Sequence, residues 1–524
     1  MAFAITQNCC NDASCVSVCP VNCIHPTPDD PGFATAEMLY IDPKACIDCG
    51  ACADACPVDA ILPIDQLTGP DAPYARINAQ YYEAHEIDHS WGLPTFPRSL
   101  PRGIGTLRVA IVGTGPAASY AAQSLLRSTG AEVTMIDRVP VPGGLIRFGV
   151  APDHPSTRKA ADGFASLYQH PRLSVHMNVE AGRDISHEEI AAHHHAVIYA
   201  VGAANDRALG VPGEDRPASV SATRFVSWYN AHPDVPADAV DLSAERAVVI
   251  GNGNVALDVA RLLLTDPEDL AGTDIADHAL DALRASGVRE VVLLGRRGPA
   301  DAAYSRPEFL ALRGLNLVVD DRPGVREEIA SAAPSSKAAL LDGLPIEPVD
   351  WSAPGERRLV LRFHSSPIEF TGDPRLTSVR VTGERGTIPA GLAVRSIGYR
   401  GAPVDGLPFD PSTGTVPHRA GRVSDGTYVV GWIKRGPSGG IGANRTCAEE
   451  TVGTLIDDAA AGRLPAPPGG ARAFARLVRR RSPRAIGLKQ MLAIDAAERR
   501  RGREAGRPRV KFPTVPEMLA AAKR

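Results

Sequence analysis

Nine of the ten cysteines in this 524-residue chain fall before residue 57, in two runs. The second run, CIDCGACADACP from Cys46 to Pro57, has the spacing C-x2-C-x2-C-x3-C-P. Thiolates two residues apart, in turns containing Gly50 and Ala51, can wrap three corners of an iron–sulfur cubane. The fourth cysteine of such a run then points to another cluster. A zinc site needs only four ligands and shows a looser pattern. The first run, CCNDASCVSVCPVNC from Cys9 to Cys23, follows the same order with Cys9, Asp12, Cys15 and Cys19, and Pro20 closes it. Crossed ligation assigns Cys19, Cys46, Cys49 and Cys52 to one 4Fe-4S cluster, and Cys9, Cys15 and Cys56 to a second. Asp12 stands where a second cysteine belongs. A carboxylate is a harder ligand than a thiolate, so the second cluster is 3Fe-4S or 4Fe-4S. Asp12 either holds a labile fourth iron or leaves that corner empty. Cys10 competes with Cys9 for the same place.

The run around Cys23 resembles that of bacterial seven-iron ferredoxins, in which the matching cysteine is not a ligand. Residues 1 to 66 carry nine Asp plus Glu against a single Lys and no Arg, which predicts docking on a basic surface. Residues 67–104 show little helical or strand periodicity and many Pro, Tyr and Trp residues. They read as an ordered linker draped over a neighbour.

Two elements further on must position nucleotides. In RVAIVGTGPAASYAAQSLLRSTGAEVTMID, a buried strand runs into Gly113-x-Gly115-x-x-Ala118, a helix follows, and a second strand ends in Asp137. Glycines let the backbone approach a pyrophosphate, the helix N-terminus supplies donors, and the acid is placed for a ribose hydroxyl. A second copy, AVVIGNGNVALDVARLLL, carries Gly251-x-Gly253-x-x-Ala256. Its next strand ends in Arg296 and Arg297 instead of an acid. Arginine forks pair with a 2′-phosphate, so this site predicts NADPH over NADH. Two nucleotide folds beside an iron–sulfur unit form a circuit: the flavin converts hydride transfer into single-electron steps that clusters accept.

From about Leu107 onward the sequence resembles the adrenodoxin-reductase-like ferredoxin–NADP reductases. With its N-terminal unit it resembles the actinobacterial fused ferredoxin/ferredoxin–NADP reductases. The motifs are GLIRFGVAPDHP, YAVGA, IGNGNVALDVAR, GRRGP and VVGWIKRGPSGGIG. The resemblance implies an α/β flavoprotein with Rossmann-like FAD and NADP domains and a small α+β ferredoxin domain. It places the ferredoxin domain at 1–66, the FAD domain at 105–203 and 393–524, and the NADP domain at 204–392 between them. It implies FAD contacts at Gly113, Ala118, Asp137, Leu145, Val179, Trp432, Gly439, Gly440 and Ile441. NADP contacts are implied at Arg207, Asn254, Val255, Ala256, Leu257, Arg296, Arg297 and Glu308. Gly439 lies where nicotinamide meets flavin. His154 and Asp258 match residues at the transfer site.

His193 to His195 look like a metal run, but three adjacent side chains do not converge on one ion. Cys447 has no cysteine near it, which disfavours a disulfide reductase. Residues 471–524 hold sixteen Lys plus Arg against four Asp plus Glu. No recognition motif or aromatic interleaving accompanies that charge, so nucleic acid is a poor partner. An external ferredoxin, or another one-electron acceptor protein, is the better one. No apolar run reaches membrane-spanning length and the N-terminus is not a signal peptide, so a cytoplasmic enzyme is expected. The rival readings are an electron-input subunit like the glutamate synthase small subunit, and a non-catalytic electron carrier.

Overall fold

The computed structural model describes residues 2–90, 100–101, 104–334 and 336–523. Two parallel sheets dominate. In the first, strands Thr427–Val429, Ala196–Tyr199, Arg108–Val112, Glu132–Asp137 and Leu173–Met177 lie side by side in parallel. Arg422–Ser424 adds an antiparallel edge. These strands are apolar runs because helices cover both faces of a parallel sheet. The sheet draws on two distant stretches of chain, and helices Pro116–Ser128 and Ala443–Ala460 seal them together. Ala118, Ala121 and Ala122 are fully buried in the same cluster as Ala448 and Leu455, so the two helices approach closely.

The second sheet lies between those stretches in sequence. Its order is Ser219–Ser221, Leu392–Arg395, Arg246–Ile250, Glu290–Leu294, Arg358–Arg362, Leu317–Asp320 and Ile346–Glu347, all parallel. Strand Leu392–Arg395 pairs inside this sheet and so runs past the boundary expected at 392. The chain crosses back at the antiparallel ribbon formed by Asn205–Asp206 and Tyr399–Arg400. Among the described residues no helix is long and apolar enough to cross a membrane.

The N-terminal unit is built on two short antiparallel pairs, Phe3–Ile5 with Ile61–Pro63 and Ile24–His25 with Tyr40–Ile41. The sequence predicts an ordered linker with little helical periodicity over residues 67–104; Tyr74–Ala84 is instead a helix, packed on this unit. Its inward face repeats at Tyr74, Ile77 and Asn78. That is helical spacing, but it is carried by polar-headed side chains and so is faint in a hydrophobicity pattern. The Asn78 amide accepts from Ile5 N (3.1 Å) and Ile41 N (2.9 Å) and donates to Ile5 O (2.9 Å). Tyr82 Oη donates to Cys23 O and Tyr40 O at 2.9 and 2.8 Å. The stretch WGLPTFPRSLPRG lies largely outside the described residues.

Candidate active site

Two cavities in the N-terminal unit collect the cysteines. The outer cavity, about 280 Å³, is lined by Cys19, Cys46, Cys49 and Cys52, with Cys23, Phe3, Ile41 and Ile47 around them. The inner cavity, about 260 Å³, is lined by Cys9, Cys10, Cys15, Cys56 and Asp12 against Ile5, Leu39 and Ile61. The runs therefore exchange members: Cys19 joins the second run and Cys56 joins the first. Left-handed turns at Asn11, Ala13, Asp48 and Gly50 fold the loops around these spaces.

The residues fit iron–sulfur centres. All the thiols are free. Burial pushes the Cys9 thiol up to about 11 and that of Cys52 up to about 12, and neighbouring thiols add to each shift. Such a set resists ionisation unless bound cations offset its charge, and soft thiolates select iron–sulfur clusters. Backbone donors already face two sulfurs, Cys23 N to Cys19 Sγ at 3.4 Å and Ala60 N to Cys56 Sγ at 3.2 Å.

Asp12 is buried, and both its carboxylate oxygens are engaged by Ser14, Oδ1 by the backbone N–H at 3.2 Å and Oδ2 by the hydroxyl. The same loop is seated on the flavoprotein body. Gly442 N donates to Cys10 O at 2.8 Å, and Arg445 donates to Asp12 O (3.2 Å) and Ser14 Oγ (2.9 Å). A Cβ at Gly442 would stand 2.1 Å from Asp12 N, so only glycine allows this approach.

The first glycine turn follows strand Arg108–Val112. Gly113 has φ 110°, and a Cβ there would meet Ala200 O at 2.5 Å. Asp137 accepts from Thr114 Oγ1 at 2.6 Å and from Val139 N at 3.0 Å, and burial raises its carboxyl. Ala118 and Val179 are buried, and Leu145 opens the short helix Leu145–Phe148. From the distant second stretch comes Trp432, whose Nε1 donates to Ser438 O at 3.1 Å. Gly439, Gly440 and Ile441 follow it, immediately before the Gly442 seat.

At the second turn, Gly251 has φ 111° and a Cβ would lie 2.2 Å from Ser396 O. Helix Asn254–Leu264 starts there. Ala256 and Leu257 are core residues, and their N–H groups already donate to Gly253 O. Val255 is half-buried, and Asn254 is exposed and exchanges hydrogen bonds with Ser305 at 2.8 and 3.2 Å. Arg296, Arg297 and Arg207 are exposed. Arg296 has no ion-pair partner among the described residues, and Arg297 stands 3.9 Å from Asp301.

Between the two turns lies a charged knot. The ligand atoms of His154, Asp258 and Glu308 lie within 4.8 Å of one another. Arg261 occupies the middle, donating to Asp258 Oδ1 (2.6 Å), Asp153 Oδ2 (2.7 Å) and His154 Nε2 (2.9 Å). That donation leaves His154 Nε2 an acceptor, and it sets a cation where a metal would otherwise sit. Burial and the Asp258 charge push the Glu308 carboxyl up to about 7. Arg261 and Asp153 escaped sequence reasoning, although Arg261 is three residues past Asp258 on one helix and Asp153 adjoins His154. The three histidines diverge: His193 and His194 contact successive backbone carbonyls, and His195 Nδ1 accepts from Arg108 N. Cys447 is buried, and its sulfur accepts from Gly431 N at 3.3 Å.

Comparison with known proteins gives the family. Residues 107–289 match the pyridine nucleotide-disulphide oxidoreductase family, and residues 39–62 match the 4Fe-4S binding domain. A probable ferredoxin/ferredoxin--NADP reductase of Mycobacterium tuberculosis is 48% identical over all of this chain and 95% of its own length. NADPH-ferredoxin reductase FprA of Mycobacterium leprae is 44% identical, matching 78% of this chain and 97% of its own. The solved structure of Mycobacterium tuberculosis FprA in complex with NADPH superposes with a TM-score of 0.73 at 42% identity, covering 80% of this chain and all of that one. The chain belongs to the family of ferredoxin/ferredoxin–NADP reductases, with a two-nucleotide reductase body behind a 4Fe-4S binding domain.

Proposed function

We propose that this chain passes electrons between NADPH and its own N-terminal unit. As a member of its family it is an FAD-dependent ferredoxin–NADP reductase, transferring electrons between NADPH and ferredoxin. The observation that carries the internal route is the seat of the Cys10–Ser14 loop on Gly442 and Arg445, next to Gly439–Ile441.

The flavin, when bound, supplies hydride acceptance and single-electron release, and iron–sulfur centres hold electrons singly. The chain's own residues bind and align. Gly113, Ala118 and Asp137 hold the FAD pyrophosphate and ribose. Leu145, Val179, Trp432, Gly439, Gly440 and Ile441 frame the ring. Arg296 and Arg297 bind the 2′-phosphate, while Arg207, Glu308 and the Asn254–Leu257 turn frame the rest of NADP. His154 and Asp258 stand at the transfer site, fixed by Arg261 and Asp153. Hydride transfer needs no side-chain nucleophile, so alignment is the protein's main contribution.

Cys19, Cys46, Cys49 and Cys52 hold a 4Fe-4S cluster at the outer cavity. Cys9, Cys15 and Cys56 hold the inner one. Each oxygen of Asp12 accepts one hydrogen bond from Ser14, and the fourth inner position falls to Asp12 or Cys10 or stays empty. Anaerobic titration of the cofactor-loaded chain with NADPH tests the route. Flavin bleaching followed by cluster reduction supports it; bleaching with clusters left oxidised overturns it. EPR of the oxidised protein separates the inner centres, since a three-iron cluster is paramagnetic there and a four-iron cluster bound by Cys10 is silent.

A further inference from the structure

The N-terminal unit does not rest on the flavin-side domain alone. Glu37, in the loop after Phe33–Thr35, reaches the other nucleotide domain. Its Oε2 accepts from Arg306 N at 2.8 Å, and its Oε1 stands 3.4 Å from Lys337 Nζ. Arg306 is the first residue of helix Arg306–Leu310, so its N–H has no partner within the helix. Ser305 caps that helix and is gripped by Asn254, and Glu308 projects from it into the knot with Arg261. Tyr74 of the N-terminal unit and Leu310 of that helix are both buried and belong to the same extended hydrophobic cluster. On its other side the same unit is held by Gly442, Arg445 and an ion pair between Asp59 and Lys159.

We infer that Glu37 is a positioning residue for NADP(H), by which the iron–sulfur unit holds the Ser305–Glu308 segment in register with the flavin-side domain. This rests on the reading of Asn254 and Glu308 as NADP(H) contacts. The carboxylate fills an orphan donor at a helix start, where negative charge is favoured. Lys337 is tied in turn to Ala302 O at 3.1 Å, so Glu37 reaches this segment directly at Arg306 and through Lys337 at Ala302. Losing that anchor frees a segment that faces the nucleotide and costs binding, not chemistry.

The test uses full-length, cofactor-loaded protein and NADP+ itself, titrated by its perturbation of the flavin spectrum. Glu37→Ala raises the NADP+ dissociation constant about threefold to tenfold, the net scale of one ordinary hydrogen bond, since the contact acts on the nucleotide only through the segment it holds. KM for NADPH rises in parallel, while the rate at saturating NADPH with ferricyanide as acceptor stays at the wild-type value. Glu37→Gln keeps an acceptor for Arg306 N and falls between the two. Lys337→Met, which breaks the other arm, gives a smaller rise and carries the test if Glu37→Ala fails to load flavin. Wild-type affinity in the loaded Glu37 variants and in Lys337→Met overturns the inference. Failure of the wild type to bind NADP+ overturns instead the assignment of the second glycine turn.

Discussion

The two cysteine-lined cavities have similar ligand chemistry and opposite surroundings. The outer one opens to solvent: Cys49 is exposed, and Ile47 at its rim is 58% exposed. The inner one has its loop pressed against the flavoprotein body through Gly442 and Arg445. A binding frame already unequal at Asp12 is thus made more asymmetric by docking. In the proposed route the inner centre is nearer the flavin-binding segment and the outer one faces partner proteins.

Replacing ligands should break this contrast most severely. Cys56→Ala should lose the inner cluster and interrupt cluster reduction by NADPH, whereas Cys49→Ala should lose the outer cluster and leave the inner one reducible. Iron analysis with EPR distinguishes them, and identical phenotypes would sink the serial order. Gly442→Val comes next. Its side chain overlaps the Asp12 backbone, a conflict costing on the order of 1–3 kcal/mol if absorbed by repacking. The N-terminal unit should then be released, seen as faster proteolysis between the units and slower cluster reduction, with flavin bleaching intact. Replacing both Arg296 and Arg297 by Ala should weaken NADPH about tenfold to hundredfold while leaving NADH nearly unchanged; equal losses for both nucleotides would refute the 2′-phosphate assignment.

The smallest effect concerns the knot between the nucleotide turns. Glu308 is raised to about 7 in the fold, above its value in the unfolded chain. The folded protein therefore holds a proton that the unfolded chain has released, and this favours folding at low pH. That stabilisation is lost as pH rises through about 7. Melting temperature should fall from roughly pH 4.5 to about 7 and level off above that, and Glu308→Gln should flatten that slope. An unchanged slope would show that Arg261 dominates the local charge.

Much of this was legible in residue order. Glycine turns after apolar strands announced both nucleotide folds, and the Arg296–Arg297 pair carries the proposed phosphate preference. The helix at Tyr74–Ala84 was not legible, because its packed face uses Asn78 and Tyr82, which hydrogen-bond to strands far away in sequence. The basic tail was read as a docking platform, yet several of its charges are spent within the chain. Lys511 is fully buried against Asp274, Arg509 pairs with Glu498, and Arg507 pairs with Asp277.

By itself, the sequence determined the class of chemistry: two cysteine sets, two glycine turns after apolar strands, and an arginine pair on which the proposed phosphate preference rests. Those properties depend on local spacing and residue type. Only the tertiary structure decided which cavity faces the flavoprotein and which faces solvent, that Asp12 accepts hydrogen bonds within its own turn, and that Glu37 reaches the NADP-side helix. Each of these depends on contacts between segments hundreds of residues apart, whose partners no local pattern can name.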